Sequence, residues 1–133
     1  MTATEDLRGL RVLIAEDNWL IGESLRELVV GLGCTVVGPI PDLAEVMSLI
    51  GIGDIDAALL DIELADANSL PAASELTLRG IPFIVTTGGR NASGLPAVLA
   101  KAPRLNKPFD APQLEATMTA TFLPRAGVAP VGR

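Results

Sequence analysis

Along this chain short apolar runs alternate with longer stretches of helical periodicity. Residues 11–15 form a compact β-type run that ends on Glu16-Asp17. Over 19–32 the apolar positions Leu20, Ile21, Leu25, Leu28, Val29 and Leu32 make one helical stripe, and Gly31 and Gly33 supply the stop. A second strand is predicted over 35–37, punctuated by Pro39 and Pro41. Asp42 with Glu45 three residues on has the form of a capping box, so a helix is expected from there to about residue 50. Residues 56–60 read as a third strand ending on Asp61, and 69–79 as a helix closed by Gly80. A fourth strand spans 81–86, with Pro82 at its first positions, where a missing N–H is tolerated, and Thr87-Gly88-Gly89 breaking it. A helix over 91–101 is interrupted by Gly94 and Pro96. A fifth strand follows over 102–106. The last helix, 110–122, has Asp110 and Gln113 in capping-box relation and Leu114, Met118, Thr121 and Phe122 on one face. The organisation expected is an extension over 1–9, one domain over 10–123 and an Ala-, Gly-, Pro- and Val-rich tail over 124–133. There is no internal repeat.

Strict strand–helix alternation implies an α/β fold, a parallel sheet with helices on both faces. Right-handed crossovers restrict it to doubly wound forms, and in these the ligand site lies beyond the carboxyl ends of the strands. The polar residues sit where that rule requires. Glu16 and Asp17 end the first strand, Asp61 the third and Thr87 the fourth, and Lys107 follows the fifth. If the strand order is 2-1-3-4-5, all five converge on one rim. Carboxylates in contact repel by about 4 kcal/mol at an effective dielectric of 20. A hard divalent cation relieves that repulsion, and Mg2+ takes a few carboxylates while keeping waters. A carboxylate such as Asp61 can serve as a nucleophile toward phosphorus. The remaining needs of phosphoryl transfer are positioning and charge neutralisation.

Composition narrows the classes. The chain has 133 residues, 49% hydrophobic and 20% charged, with a formal charge of -6. Its only aromatics are Trp19, Phe83, Phe109 and Phe122, so it has neither the stacking platforms nor the basic groove of a nucleic-acid binder. The lack of histidine removes His-ligated zinc and Ser-His or Cys-His catalysis. Cys34 stands alone, so no intrachain disulfide forms, and it reads as a small buried hydrophobe. The polar first ten residues lack the apolar core of a signal peptide, and no apolar run reaches membrane-spanning length. A cytoplasmic protein without membrane or nucleic-acid contact is expected.

Taken together, Glu16-Asp17, Asp61 after an apolar strand, Thr87-Gly88 after another and Lys107-Pro108-Phe109 make the chain resemble the receiver domain of bacterial response regulators over about residues 10–122. The resemblance implies the flavodoxin-like fold of five parallel strands in the order 2-1-3-4-5. It implies Asp61 as phosphoacceptor, Thr87 as switch hydroxyl and Lys107 as the cation that contacts the phosphoryl group. It further implies Mg2+, or alternatively Mn2+, held by Glu16, Asp17, Asp61 and the backbone carbonyl of Glu63. Glu63 and Gly89 occupy the positions that tune dephosphorylation in the family. The expected donor is a sensor histidine kinase, and the expected role is signalling, not turnover of an outside substrate. A narrower similarity links residues 82–89, with Pro103 and Lys107-Pro108-Phe109, to stand-alone receivers whose fourth strand ends in Phe-Ala-Thr-Gly. Val85 and Thr86 replace the first two of those residues. That group works with HWE-type or related kinases.

The chain departs from the family at Arg104, where many receivers place a Tyr or Phe that rotates inward on activation. Ordering of residues 88–99 is the switch expected instead. With no DNA-binding segment in the chain, output is expected through protein contact, on the face of the fourth and fifth strand–helix units, or as a phosphoryl sink or shuttle. Two other readings compete. One is a pseudo-receiver that acts as a scaffold without phosphorylation. The other is an aspartyl phosphatase, whose paired acids Asp61-Ile62-Glu63 mimics. Residue by residue, Glu63 is equally a solvated loop acid, Asp66 and Asn68 read as loop and cap residues, and Trp19 as packing or cover beside the site. Arg104 reads as an exposed strand end or a partner contact.

Overall fold

The computed structural model describes residues 7–88 and 95–123. Its elements are β1 (Arg11–Ala15), α1 (Trp19–Gly31), β2 (Thr35–Ile40), α2 (Leu43–Ile52), β3 (Ala57–Asp61), α3 (Leu70–Arg79), β4 (Phe83–Thr87), α4 (Ala97–Ala100), β5 (Arg104–Asn106) and α5 (Ala111–Phe122). The strands pair in parallel in the order β2-β1-β3-β4-β5, as predicted.

Both faces of the sheet are covered, and the strands show why they read as continuous apolar runs. Side chains alternate between faces along a strand. Val12, Ile14, Leu59, Ile84 and Leu105 join Leu25, Val29, Leu114, Met118 and Phe122 in a core on the α1/α5 face. Leu13, Ala58, Leu60 and Val85 join Val46, Ile50, Leu76 and Leu99 on the α2/α3/α4 face. In the middle strand, β3, all five residues are buried. A strand buried on both sides must be apolar until it reaches the sheet edge, so the carboxylate of Asp61 marks where the core ends.

The helix starts follow capping chemistry. The side chains of Asn18, Asp42 and Asp110 accept from the backbone N–H groups of Ile21, Glu45 and Gln113, and Asp110 with Gln113 completes a reciprocal box. Gly53 and Gly80 close α2 and α3 in the left-handed conformation, with φ of 90° and 72°. At Ser69, the N-cap of α3, the hydroxyl makes no capping bond; Asn68 accepts from Leu70 instead, at 3.0 Å.

Two expectations are revised. β2 runs to Ile40, past the Gly38-Pro39 pair that was read as its end. Its pairing with β1 shifts register between Leu13 and Ala15, and Gly38 takes a φ of 111° that lets the strand resume. Helix α4 is four residues long as described, Ala97–Ala100, because Pro96 occupies its N-cap. Gly89, and with it half of the segment expected to order on activation, lies outside the described residues, as does the tail over 124–133.

α1 packs on β2 through a helical glycine. A Cβ built on Gly22 would lie 2.8 Å from both Cβ and Cγ of Pro39. In an open helix Gly→Ala stabilises by about 1 kcal/mol. Here the rigid ring reverses the sign, and overpacking should make Gly22→Ala less stable than wild type by about 1–2 kcal/mol. Urea denaturation of the two proteins measures the difference, and an unchanged or raised midpoint would show that the β2 end yields.

Candidate functional site

Each predicted site residue falls at the carboxyl edge of the sheet. β1 delivers Glu16 buried and Asp17 exposed, and β3 delivers Asp61, 8% exposed. β4 ends in half-buried Thr87, and Lys107 follows β5. The strand ends are tied by backbone bonds. Glu16 N–H donates to Ile40 O at 3.0 Å, Ile62 N–H to Thr86 O at 3.1 Å and Lys107 N–H to Thr87 O at 2.7 Å.

The charges form one cluster. Lys107 Nζ donates to Glu16 Oε1 at 2.7 Å and to Asp61 Oδ2 at 3.0 Å. Asn18 N–H donates to Glu16 Oε2 at 3.0 Å, and Glu63 N–H to Asp61 Oδ1 at 3.2 Å. One ligand oxygen from each of Glu16, Asp17 and Asp61 falls within a group spanning no more than 4.8 Å. Burial raises the Glu16 carboxyl above its ordinary value. The bonds from Lys107 and Asn18 pull it down, the Asp61 charge pushes it up again, and the net effect is upward. For Lys107, burial alone would lower the ammonium. Its hydrogen bonds to Glu16 and Asp61 outweigh burial and hold it above the ordinary lysine value. One ammonium therefore faces three carboxylates, which leaves the cluster short of positive charge.

Above this floor opens a cleft of about 620 Å3, lined by Asp17, Asp61, Glu63, Thr87, Gly88 and Lys107 among others. An all-oxygen donor set, with one acid buried, one exposed and an open approach, fits a hard divalent cation that keeps part of its water shell. The residues would not suit a soft metal, since the cluster holds no sulfur or imidazole. A second hollow of about 510 Å3, at the other end of β4 and β5, is lined mainly by apolar residues such as Ile81, Pro82, Phe83 and Val98, and presents no carboxylate.

The structure also settles several residues that the sequence left ambiguous. Trp19 is 74% exposed, so the expectation of a packing role fails. Cys34 is buried, with Sγ donating to Leu7 O at 3.3 Å. Arg104 is half-buried on β5, and its Nη2 donates to Ala100 O at 3.3 Å, joining β5 to the end of α4. Asn68 does cap α3, but Asp66 reaches a different helix, its Oδ1 accepting from Leu43 N–H of α2 at 2.7 Å. Thr86 was not singled out. It pairs with Asp61 across β3 and β4, is wholly buried, and its hydroxyl has no partner among the described residues. The signal for it was in the sequence, a hydroxyl residue at an inward position of a buried strand.

No family model matches the sequence. Among curated proteins, the chain is 35% identical over 78 residues to the transcriptional regulatory protein PdtaR of Mycobacterium tuberculosis. The match covers 58% of this chain and 38% of that protein, so the chain spans about two fifths of the relative's length. The fold superposes on SdrG from Sphingomonas melonis with a TM-score of 0.75 and 34% identity, covering 84% of this chain and 95% of SdrG. It superposes on the signal receiver domain of a modulated diguanylate cyclase from Desulfovibrio desulfuricans with a TM-score of 0.74 and 26% identity, covering 84% of this chain and 92% of that one. With the strand order, the acid cluster and the lysine bridge, these likenesses establish that the chain belongs to the response-regulator receiver (CheY-like) domains.

Proposed function

We propose that this receiver accepts a phosphoryl group on Asp61 from the phosphohistidine of a sensor kinase, and that Mg2+ supports the reaction. The observation that carries this reading is the Asp61 carboxylate, held between Lys107 Nζ and Glu63 N–H at the floor of a cleft that two further acids share. A carboxylate so fixed presents an oxygen lone pair to phosphorus. The new O–P bond forms as the donor's P–N bond breaks, and the histidine nitrogen keeps the electron pair and takes up a proton. Lys107 lies where it can follow negative charge from the carboxylate to a phosphoryl oxygen, and Thr87 supplies a hydroxyl on the facing wall. Glu16, Asp17, Asp61 and the Glu63 carbonyl are the groups that would hold the metal. Bound there, Mg2+ (or Mn2+) would neutralise equatorial oxygens, as phosphoryl transfer requires.

In this reading the chain turns over nothing but its own acyl phosphate. It works in the cytoplasm beside a kinase of HWE or related type, and it signals by protein contact or as a phosphoryl sink. Among the described residues no helix is long and apolar enough to cross a membrane.

Incubation with Mg2+ and acetyl phosphate, followed by intact mass measurement, tests the proposal. One base-labile phosphoryl adduct should form on the wild type and none on Asp61→Asn. If the wild type also refuses beryllofluoride and a panel of kinases, the chain is a scaffold that borrows the receiver fold.

The lysine bridge yields a second expectation. Lys107→Met leaves two buried carboxylates without their cation and should cost about 1–3 kcal/mol at neutral pH. Glu16, already raised above 4.5, rises further without the ammonium. A group raised in the folded state contributes its stability below the unfolded value and loses it as pH rises through the folded value. The deficit of Lys107→Met should therefore shrink as pH falls toward the carboxylate range. In the wild type, the stabilisation from Lys107 itself is lost only as pH rises beyond 10.5, through its raised value. Chemical denaturation across pH measures both, and a pH-independent deficit would mean that lost packing, not charge, is responsible.

A further inference from the structure

The loop that leaves Asp61 is held by bonds within itself and to its neighbour. Residues 62–69 fold back on themselves through a Glu63–Asn68 bridge, a bond from Leu64 N–H to Ala67 O at 3.0 Å and one from Ser69 N–H to Ile62 O at 2.8 Å. The tip of this hairpin-like loop is then tied to a neighbouring unit. Ala65 N–H donates to Pro41 O at 3.1 Å, and Asp66 Oδ1 accepts from Leu43 N–H at 2.7 Å. Leu43 is the first residue of α2, and its amide is one of the four that a helix cannot satisfy internally. The negative charge of Asp66 also lies at the positive end of the helix dipole. At the other end of the loop, Glu63 N–H bonds Asp61 Oδ1 and Glu63 lines the cleft. The segment that presents Glu63 is thus clamped at its root by Asp61 and at its tip by α2.

From this we infer that Asp66 is a positioning residue for the divalent-cation site: its bond to Leu43 fixes the 62–69 loop so that the backbone of Glu63 is held toward the acids. The inference rests on the proposed receiver chemistry and goes beyond it, because Asp66 touches neither the acids nor the cleft. It also makes the N-terminus of α2 a reporter of the site. Coupling between two events is reciprocal, so whatever factor the strap adds to cation affinity, the cation returns to the strap.

The experiment titrates Mg2+ calorimetrically into the wild type and into Asp66→Ala, Asp66→Asn and Asp42→Ala, with amide exchange at Leu43 followed with and without saturating Mg2+. Asp66→Ala should weaken Mg2+ binding about tenfold, the low end of what outer groups around a metal site command. Asp66→Asn keeps the acceptor oxygen and should bind as the wild type does. Asp42→Ala removes the side-chain oxygen that accepts from Glu45 N–H and leaves the groups of both strap bonds in place. It should lower the unfolding midpoint without changing Mg2+ affinity. Saturating Mg2+ should slow exchange at Leu43 about tenfold in the wild type, matching the affinity change, and leave Asp66→Ala unaffected. Wild-type affinity in Asp66→Ala, equal losses in Asp66→Ala and Asp42→Ala, or Leu43 exchange that ignores Mg2+ would each overturn the strap while leaving the receiver reading standing. A wild type that binds no Mg2+ would overturn the cation-site reading and the strap with it.

Discussion

Lys107 Nζ lies 2.7 Å from Glu16 and 3.0 Å from Asp61, and it joins strand ends that are 91 and 46 residues away in the chain. Without that ammonium the edge of the sheet would hold two buried carboxylates against each other, with a third beside them. At an effective dielectric of 20 each close pair costs about 4 kcal/mol. The bridge offsets part of this, and burial, with a smaller contribution from the Asp61 charge, still leaves the Glu16 carboxyl raised. One ammonium against three carboxylates leaves the cluster deficient in positive charge.

The sheet makes this economical. Past Arg11 its interior strands carry no charged side chain until Asp61 and bury one hydroxyl, Thr86, so the charge chemistry is confined to the one edge where strand ends meet helix starts. The same confinement made much of the fold legible. Alternation of apolar runs and helical stripes marked five strands, the receiver resemblance supplied their order, and Asp42, Asp110 and Gly80 marked helix ends by capping chemistry alone. Local signals failed where tertiary contacts decide. Gly38-Pro39 reads as a strand end, yet a register shift against β1 carries β2 through it to Ile40. Asn18 caps α1 at 3.0 Å, although its neighbours Glu16 and Asp17 drew the eye to chemistry instead of capping.

The site was legible for a different reason. Each of its acids, its threonine and its lysine terminates a strand, so their convergence follows from topology and needs no side-chain detail. What topology cannot give is the partner of a long or branched side chain. Nothing in the local sequence says that Asp66 bonds α2 rather than its own loop, or that the Thr86 hydroxyl is enclosed beside Asp61 with no partner among the described residues. Those facts depend on how two units pack, and a single sequence carries that information only diffusely.

Arg104 shows how such packing changes a mechanism's means. An aromatic ring at the strand end can move between a core position and solvent at modest cost, since its surface is apolar on both sides. A guanidinium cannot, because leaving its donors buried and unpaired costs about 1–3 kcal/mol for a neutral group and more for a charged one. Arg104 Nη2 has found the carbonyl of Ala100, while Nε is buried without a partner among the described residues. The position of this side chain is thus set by acceptors at the end of α4, not by the space available beneath it. Thr87 O meanwhile receives Lys107 N–H at 2.7 Å, so β4 and β5 are joined directly below the cleft and α4 is joined to β5 through Arg104. In this receiver the site and the α4–β5 edge are linked by these polar bonds alongside the apolar core that Leu99 of α4 shares with Val85 of β4.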